Sequence, residues 1–367
     1  MENPYLNKSR YPGGADYLTS SCSVNRIRLV KLPVYGVDDE IEGLTVKEFF
    51  NAKLVIAAVK AHADELHIDL SSCHEKKLPR RLAQKAADET DESGAALARK
   101  MMMRFGDRLG LLLLALKLGE PENRAAREDW TDAHWEYWAQ VRDIILVGGL
   151  ASGLFGEILR ERIEAVFALR GIAPYNILLY DNAAQAAVLG CASCIKARDG
   201  VFVVMDFGQT SIKRSYVVKC DGEITEVKTL ESIASKNMEW VMPDEEERLR
   251  QAKELHAYLA AAVEQTFREA KQATKTQPGS EVIISVASYT VDGTLNDSRS
   301  GYAKLCALGS NYAELLAWEL SGRLRCGIDV RLLHDGTAVA LNFRRRRDTV
   351  CLSVGSYFGI GFPETKA

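Results

Sequence analysis

The stretch from Val201 to Cys220, VFVVMDFGQTSIKRSYVVKC, constrains the fold more than any other part of the sequence. An apolar run ending at Asp206 is followed by a short polar turn and a second run of alternating polarity. Two such runs around a polar turn predict a β-hairpin. The dipeptide Asp221-Gly222 is typical of a further tight turn and extends the hairpin into a third strand.

The tip of this hairpin has the residue types of a phosphate-binding turn. Gly208 lets backbone N–H groups approach an anion, and Gln209 and Thr210 place polar groups beside it. Lys213 adds a cation, although a solvated strand lysine is an equally good interpretation. Asp206 is a candidate to hold a metal ion through water. An ordinary hairpin with a polar tip explains the same residues, so this stretch alone leaves both interpretations open.

Length and composition indicate a globular protein with two domains. The chain has 367 residues, 47% of them hydrophobic and 26% charged, and a net charge of −3. This charge gives no electrostatic reason to expect a nucleic acid or a membrane surface as partner. The longest apolar window, Leu109–Leu118, is too short to span a bilayer. The first residues contain no apolar signal core, which predicts a cytoplasmic protein.

The cysteine pattern favours free thiols. Eight cysteines are spread along the chain, which is not the pattern of a disulfide framework. Cys191 and Cys194 form a lone Cys-x-x-Cys pair without a second pair of metal-ligand spacing. They are therefore expected to be small packing residues on a helix.

The first part of the chain predicts helices, and the remainder alternates strands with helices. Thr45 followed by Glu48 is a capping-box pattern, and it marks the start of the first predicted helix. From residue 143 onward the pattern is α/β. The predicted strands beyond the hairpin are 143–147, 176–180, 281–286, 330–333 and 349–354. The predicted helices include 77–87, 93–118, 154–169, 182–195, 244–272, 311–324 and 338–343.

Four turns that follow apolar strands contain the parts needed for phosphoryl transfer. They lie at residues 206–210, 334–337, 355–361 and 148–153. Such turns hold phosphates with backbone groups, while one carboxylate holds hydrated Mg²⁺ and another deprotonates the acceptor hydroxyl. Asp335 is the candidate for this base. Its structural alternative is the N-cap of the following helix.

Together these segments resemble the actin/hexokinase/chaperone ATPase superfamily, most closely the ROK-type sugar kinases. VVMDFGQTSIK resembles the first phosphate motif, and VCLSVGSYFGIGF resembles the second. VRLLHDGTAVALNF resembles the segment with the catalytic aspartate, and DIILVGGLASGLFGEILRERIEAVF resembles the adenosine motif. The resemblance implies an α/β, two-lobed, ribonuclease-H-like fold that binds ATP and Mg²⁺ in the cleft between its lobes.

The order of the motifs is rotated relative to the family. The adenosine motif precedes the first phosphate motif, and the second phosphate motif comes last, which predicts a circularly permuted chain. The nucleotide lobe, with the adenosine and second phosphate motifs, is expected at residues 1–198 plus 348–367. The lobe with the first phosphate motif and the catalytic aspartate is expected at residues 199–347.

The resemblance also implies roles for individual residues. Asp335 would be the catalytic base, and Asp206 would hold Mg²⁺ through water. The residues that it places at the nucleotide are Asp206, Gly208, Gln209, Thr210, Lys213, Gly355, Ser356, Gly359, Gly148, Gly149 and Ser152. Asn296 and Asp297 are candidates for contact with the acceptor, and ordinary solvated loop positions are the alternative.

Several positions depart from the family pattern. Tyr357 stands where the second phosphate motif has glycine, and Ser356 stands where it has threonine. The Glu-x-Gly-His sugar-binding motif and the zinc loop of the ROK kinases are also missing. The expected function is an ATP-dependent, sugar kinase-like phosphotransferase for a small hydroxylated acceptor. The alternatives are a nucleotide-binding regulatory or scaffold protein without transfer activity, and an interaction protein that uses its N-terminal helices. A homodimer remains open.

Overall fold

A computed structural model describes residues 3–7, 17–72, 74–180, 182–237, 244–296, 301–344 and 346–363. The chain divides into two compact units. The first unit contains residues 1–5, 21–183 and 346–362, and the second unit contains residues 6–20, 184–345 and 363–367. Each unit has its own sheet with helices, so the mixed α/β class predicted from the sequence is confirmed.

The strands of the described residues are β1 Leu6–Asn7, β2 Tyr17–Leu18, β3 Asp143–Val147, β4 Asn176–Tyr180, β5 Gly200–Phe207, β6 Ser211–Cys220, β7 Glu223–Thr229, β8 Ile233–Ala234, β9 Glu281–Val286, β10 Thr290–Val291, β11 Thr294–Leu295, β12 Asp329–His334, β13 Thr349–Val354 and β14 Phe358–Gly361. The α-helices are α1 Val46–Phe49, α2 Ala52–Ala61, α3 Leu78–Ala86, α4 Glu92–Leu118, α5 Pro121–Ala125, α6 Asp132–Gln140, α7 Gly153–Leu169, α8 Ala183–Ala192, α9 Glu245–Thr274, α10 Tyr312–Leu324 and α11 Asp335–Leu341.

The helical start of the first unit follows its capping signals. The capping box of Thr45 and Glu48 is present at the start of α1. This helix ends after one turn because Asn51 caps a new helix, α2, by accepting a hydrogen bond from the N–H of Leu54. The single helix predicted from residue 45 is therefore two helices.

The sheet of the first unit has the order β14-β13-β3-β4. Strands β3 and β4 run parallel to β13, and β14 pairs with β13 as an antiparallel hairpin. Helices α4 and α7 pack closely, since a methyl group added at Gly110 would lie 2.9 Å from Val166 Cβ. Glycines on α4 therefore set how near the two helices approach.

The sheet of the second unit has the order β12-β9-β5-β6-β7. Strands β9 and β12 run parallel to β5, whereas β6 and β7 continue from it as an antiparallel meander. Alternate residues of β5, including Val203, Met205 and Phe207, share one core with residues of α9 and α10. Because side chains alternate along a strand, Asp206 lies on the opposite face of the sheet.

The two sheets share one arrangement of strands. The order β12-β9-β5-β6 in the second unit matches β4-β3-β13-β14 in the first, with the same parallel and antiparallel pairings. The sequence of connections differs. In the second unit the hairpin β5–β6 precedes the parallel strands, whereas in the first unit the hairpin β13–β14 follows them.

Two other expectations, and the tryptophans of the N-terminal third, concern packing and the membrane. Cys191 and Cys194 are buried free thiols, in agreement with a packing role. The tryptophans of the N-terminal third pack in a buried aromatic cluster, in which Trp130 lies 5.3 Å from Tyr5 and 5.0 Å from Trp135. In the described part of the chain, no helix combines the length and apolarity needed to cross a bilayer.

Candidate functional site

Asp206, the one acidic residue of the predicted phosphate hairpin 201–220, is buried. It is 7% exposed, and its two carboxylate oxygens have different partners. Oδ2 accepts a hydrogen bond from Lys213 Nζ at 2.7 Å, and Oδ1 accepts one from Ser285 Oγ at 2.8 Å. The Cys191 thiol lies next to Ser285, and burial raises its pKa well above the usual value. This thiol therefore stays protonated and adds no second charge near Asp206.

Strand pairing accounts for this arrangement. Asp206 is directly opposite Lys213 in the antiparallel pair with β6, and directly opposite Ser285 in the parallel pair with β9. Directly paired residues project from the same face of a sheet at short distance. The sequence identified Asp206 and Lys213, but Ser285 was missed because the partner strand of β5 cannot be read from local pattern.

The hairpin tip is exposed at Gln209 and Thr210. The N–H of Gly208 donates to the carbonyl of Ser211 at 3.2 Å, and the carbonyl of Gly208 accepts from the Tyr302 hydroxyl at 2.9 Å. Gly208 therefore closes the turn, and its own N–H is not free for an anion. Among the described residues, the N–H groups of Gln209 and Thr210 have no acceptor.

The side chain of Gln209 is held in place by two other loops. Its amide nitrogen donates to the carbonyl of Ala287 at 3.2 Å, and its amide oxygen accepts from Asn237 at 3.1 Å. The hydroxyl of Thr210 makes no hydrogen bond within the described residues. The tip thus presents two backbone donors and one hydroxyl on a braced turn.

Asp335 is the first residue of α11, which begins three residues earlier than predicted. The N-cap position belongs to His334, so the alternative role of Asp335 as N-cap is wrong by one residue. Asp335 Oδ1 accepts from the N–H of Gly336 at 2.7 Å and lies 3.1 Å from His334 Nε2. Oδ2 has no partner within the described residues, and the side chain is 40% exposed.

His334 is buried and stacks on Tyr289, with ring centroids 4.4 Å apart. Burial lowers the pKa of His334, and the nearby charge of Asp335 offsets this only in part. A neutral imidazole with its proton on Nε2 donates to Asp335 and leaves Nδ1 as an acceptor. Nδ1 has no partner among the described residues. His334 therefore orients the carboxylate without placing a positive charge beside it.

The lowered pKa of His334 predicts a pH-dependent stability. Below the unfolded-state pKa of about 6.5, the unfolded chain binds a proton that the folded chain resists. Stability is therefore complete above this value and decreases as the pH falls toward the folded-state pKa. Burial also lowers the pKa of His134 and His256, so these residues contribute in the same direction.

We expect His334→Asn to reduce this decrease. Urea denaturation at neutral pH and near pH 5.5 should show a smaller difference in unfolding free energy for the variant than for the wild type. The two pH values are compared within each protein, because the substitution also changes the unfolding free energy at both of them: asparagine replaces the buried imidazole, and it favours the N-cap position. An unchanged difference would show that His334 titrates normally.

Asp206 and Asp335 lie at the same end of the second unit's sheet, where its parallel strands reach their carboxyl ends. The parallel strands β5, β9 and β12 all end there, since Asp206 pairs with Ser285 and Ser285 pairs with Leu333. With strand spacings of about 4.8 Å, the ends of β5 and β12 are about 10 Å apart. The structure thus brings both predicted carboxylates to the carboxyl ends of the strands, where ligands of open α/β sheets bind.

In the first unit, the turn after β3 is shaped by Gly148. Its φ is +113°, and a methyl group there would lie 2.4 Å from the carbonyl oxygen of Val354 at the end of β13. Glycine is therefore required at this position for packing as well as for backbone conformation. Gly149 is exposed, and a methyl group there would meet nothing within 4 Å.

Ser152 is the N-cap residue of α7. Its hydroxyl donates to the carbonyl of Gly149 at 3.3 Å and does not cap the helix. The first turn of α7 contains no acidic residue, so no side-chain charge there offsets the positive end of the helix dipole. Such a helix end favours an anion.

The second predicted phosphate turn joins β13 to β14 in the same unit. Gly355 accepts a hydrogen bond from the N–H of Ala52 at 2.9 Å, and Gly359 lies within β14, opposite Ser353. Ser356 is half-buried. Tyr357 is 48% exposed, and its ring centroid lies 5.8 Å from Lys53 Nζ. The side chain of Tyr357 therefore extends to the surface beside α2.

The predicted acceptor residues are only partly described. Asn296 is exposed, and its N–H donates to the carbonyl of Tyr289 at 2.8 Å. Asp297 lies outside the described residues. A cavity of about 340 Å³ lies nearby, along β12. Sequence reasoning missed it because its walls come from segments far apart in the chain.

The hairpin of the second unit fits a water-bridged Mg²⁺ ion. Protein-bound Mg²⁺ typically keeps several waters and uses one or two carboxylates together with phosphate oxygens. Asp206 supplies one such carboxylate, and its charge is balanced by Lys213, whose side chain is 41% exposed. Within the described residues no group of three or more acidic, histidine or cysteine side chains could hold a metal ion directly.

Comparisons with known proteins add little. No family model matches the chain, and no curated protein matches it. A crystal structure described as that of an exopolyphosphatase-like protein is similar, with a TM-score of 0.28 and 11% sequence identity over 64% of this chain and 86% of that chain. A TM-score this low supports no conclusion about fold or activity. No family match supports the resemblance to the ROK sugar kinases.

Proposed function

We propose that this protein is an ATP-dependent phosphotransferase that acts on a small hydroxylated acceptor, such as a sugar or a related compound. The observation that carries the proposal is the pair of carboxylates at the carboxyl edge of the second unit's sheet. Asp206 is enclosed and paired with a cation, whereas Asp335 is half exposed with one free oxygen. These environments suit two different tasks.

Asp335 would accept the proton of the acceptor hydroxyl. Oδ1 is occupied by the N–H of Gly336 and by His334, which fixes the orientation of the carboxylate. Oδ2 remains for the hydroxyl. A base held in one orientation, with a neutral donor beside it, is suited to general base catalysis.

Asp206, Lys213 and the hairpin tip would bind the phosphates. The N–H groups of Gln209 and Thr210 are the available backbone donors, and Lys213 has enough exposure to leave Asp206 for a phosphate oxygen. Asp206 would then hold Mg²⁺ through water. When bound, Mg²⁺ would neutralise negative charge on the phosphate oxygens.

The topology supports a ribonuclease-H-like fold in circularly permuted order. Both sheets have the same strand order, but the hairpin comes before the parallel strands in the second unit and after them in the first. In the first unit, residues from the early part of the chain lie beside the hairpin β13–β14. Tyr5 stacks on Phe362 at 5.2 Å, and the Asn25 side chain bonds both backbone groups of Phe358. A rotation of the chain would require this proximity.

A nucleotide-binding protein without transfer activity is the second candidate. Tyr357 favours it, because a bulky residue at the second phosphate turn replaces the glycine of the family pattern. Its exposed side chain lies beside Lys53 of α2. The two candidates differ in whether ADP forms when an acceptor is present.

Nucleotide binding is the first test. With ligand at about 100 times its Kd, binding stabilises a protein by about 2.7 kcal/mol, which for a chain of this size raises the melting temperature by about 3.5 °C. We expect this shift with Mg·ATP for the wild type. In Asp206→Asn, the part of the shift that depends on Mg²⁺ should disappear, while the shift with ATP alone remains.

Asp221→Asn is a matched control. Asp221 carries the same side chain directly after β6, at the opposite end of the hairpin from Asp206, and its positive φ of +54° is one that asparagine tolerates. The variant should keep the full Mg·ATP shift. No shift for the wild type, or an undiminished Mg²⁺-dependent shift in Asp206→Asn, would contradict the proposed phosphate site.

A further inference from the structure

The cavity of about 340 Å³ in the second unit has the form of a groove along one strand edge. Its lining includes every residue of β12, from Asp329 to His334. Successive side chains of a strand point to opposite faces. A cavity that meets six consecutive residues must therefore run along the backbone edge of the strand rather than over one of its faces.

This edge of β12 has unpaired backbone groups. β12 is the last strand in the sheet order and pairs only with β9 among the described strands. The N–H of Asp329 donates to the carbonyl of Ser280 on the β9 side. Because a strand alternates the direction of its backbone groups, those of Val330 and Leu332 point away from β9. The backbone N–H and C=O groups of Val330 and Leu332 therefore face the groove, spaced as they are along a strand without a neighbour on that side.

The walls of the groove leave room for side chains. On one side, α10 contributes Ala313, Ala317 and Glu314, and two of these residues carry only a methyl group. On the other side, α11 contributes Thr337 and Leu341. A strand added to β12 would therefore alternate its side chains between a wall of α10 and a wall of α11.

The charge of the groove is predominantly negative. The acidic residues that line it are Asp292, Glu314 and Asp329. Among the described lining residues, Arg331 is the only lysine or arginine. Trp318, which is 75% exposed, lies one helical turn beyond Glu314 on α10. An exposed tryptophan next to acidic side chains favours a cationic partner.

We propose that this groove binds an extended peptide segment of a partner protein, which adds as a strand along β12 and carries lysine or arginine at alternate positions. Main-chain hydrogen bonds to Val330 and Leu332 would give affinity, and the acidic wall would select the basic side chains. The test of this inference is independent of the proposed transferase activity, because Ala317, Ala261 and Asp329, the residues substituted in it, are not assigned to the phosphates or to proton transfer.

The groove can be tested with labelled synthetic peptides and the full chain. Three peptides of eight residues are compared by fluorescence anisotropy: alternating lysine and valine, alternating glutamate and valine, and the lysine peptide with N-methyl groups at alternate residues. We expect the lysine peptide to bind at least about 10-fold more tightly than either of the others. The N-methylated peptide keeps the charge but cannot form the strand ladder.

Two variants locate the binding. Ala317→Arg places a cation at a half-buried position in the groove wall, and we expect it to weaken binding of the lysine peptide by at least about 10-fold. Ala261→Arg places the same side chain at an exposed position of α9 and should leave binding unchanged. Asp329→Lys, at the exposed start of β12, should reduce the preference for the lysine peptide over the glutamate peptide.

Three outcomes would overturn the proposal. The first is equal binding of the lysine peptide and its N-methylated form, which would indicate attraction by charge alone. The second is unchanged binding in a folded Ala317→Arg variant. The third is a wild-type dimer in sedimentation experiments that Ala317→Arg converts to a monomer, because the groove would then be occupied by a second copy of the chain.

Discussion

Asp335→Asn is expected to lower the turnover number of acceptor-dependent ADP formation by about 10³-fold, within the 10²- to 10⁴-fold range of general base catalysis. Asparagine has the same shape as aspartate and can still accept from the N–H of Gly336 and from His334 through its amide oxygen. It cannot accept a proton at neutral pH. The assay is ADP release from Mg·ATP with a panel of sugars, polyols and amino sugars.

Binding measurements separate the loss of chemistry from the loss of structure. The Mg·ATP-induced rise in melting temperature should be the same in Asp335→Asn and the wild type, because Asp335 is not placed at the phosphates. Glu223→Gln, at the exposed start of β7, neutralises a carboxylate in the same unit and should keep full turnover. Full turnover in Asp335→Asn would remove this residue from the mechanism. No acceptor-dependent ADP with any compound, despite Mg·ATP binding, would favour the nucleotide-binding candidate.

Local patterns predicted the elements of the fold well. Four predicted strands, β3, β4, β9 and β13, have their expected bounds, because each is a short apolar run enclosed by polar residues or turn signals. Errors occur where a strong local signal competes with a pattern of longer range. Asn51 interrupts the helix predicted from Thr45, since its side chain caps a new helix. Likewise, α11 begins directly at Asp335 rather than after the turn.

The site was predictable only as far as it is encoded by single turns. Asp206, Lys213 and Asp335 belong to turns or strands that can be recognised locally. Ser285 and Tyr302 contact the hairpin, but they come from segments about 80 to 100 residues away, and no periodicity in the sequence pairs them with it. The groove along β12 was missed for the same reason. Gly208 was expected to let the backbone N–H groups of the turn approach an anion, and the structure shows that its own N–H closes the turn instead.

Gly190→Ala is expected to reduce the free energy of unfolding by about 3 kcal/mol, at the upper end of typical overpacking costs. Gly190 lies on α8, and an added methyl carbon would be 1.7 Å from the carbonyl oxygen of Ala338 and 2.9 Å from its carbonyl carbon. Both obstacles are backbone atoms of α11, so no side-chain rotation relieves the clash. Helix α11 would have to move by more than about 1 Å, which is the distance needed to reach an ordinary contact.

The same displacement should affect activity, because α11 begins at Asp335. A misplacement of about 1 Å at a reacting group can cost about 100-fold in rate, so turnover should fall together with stability. Gly322→Ala is the matched control within a helix. A methyl group there would meet nothing within 4 Å, and the better helix propensity of alanine should stabilise the chain by about 1 kcal/mol. Urea denaturation of both variants measures the difference. If Gly190→Ala is as stable as the wild type, α8 and α11 do not pack at this distance, and the position of Asp335 depends on other contacts.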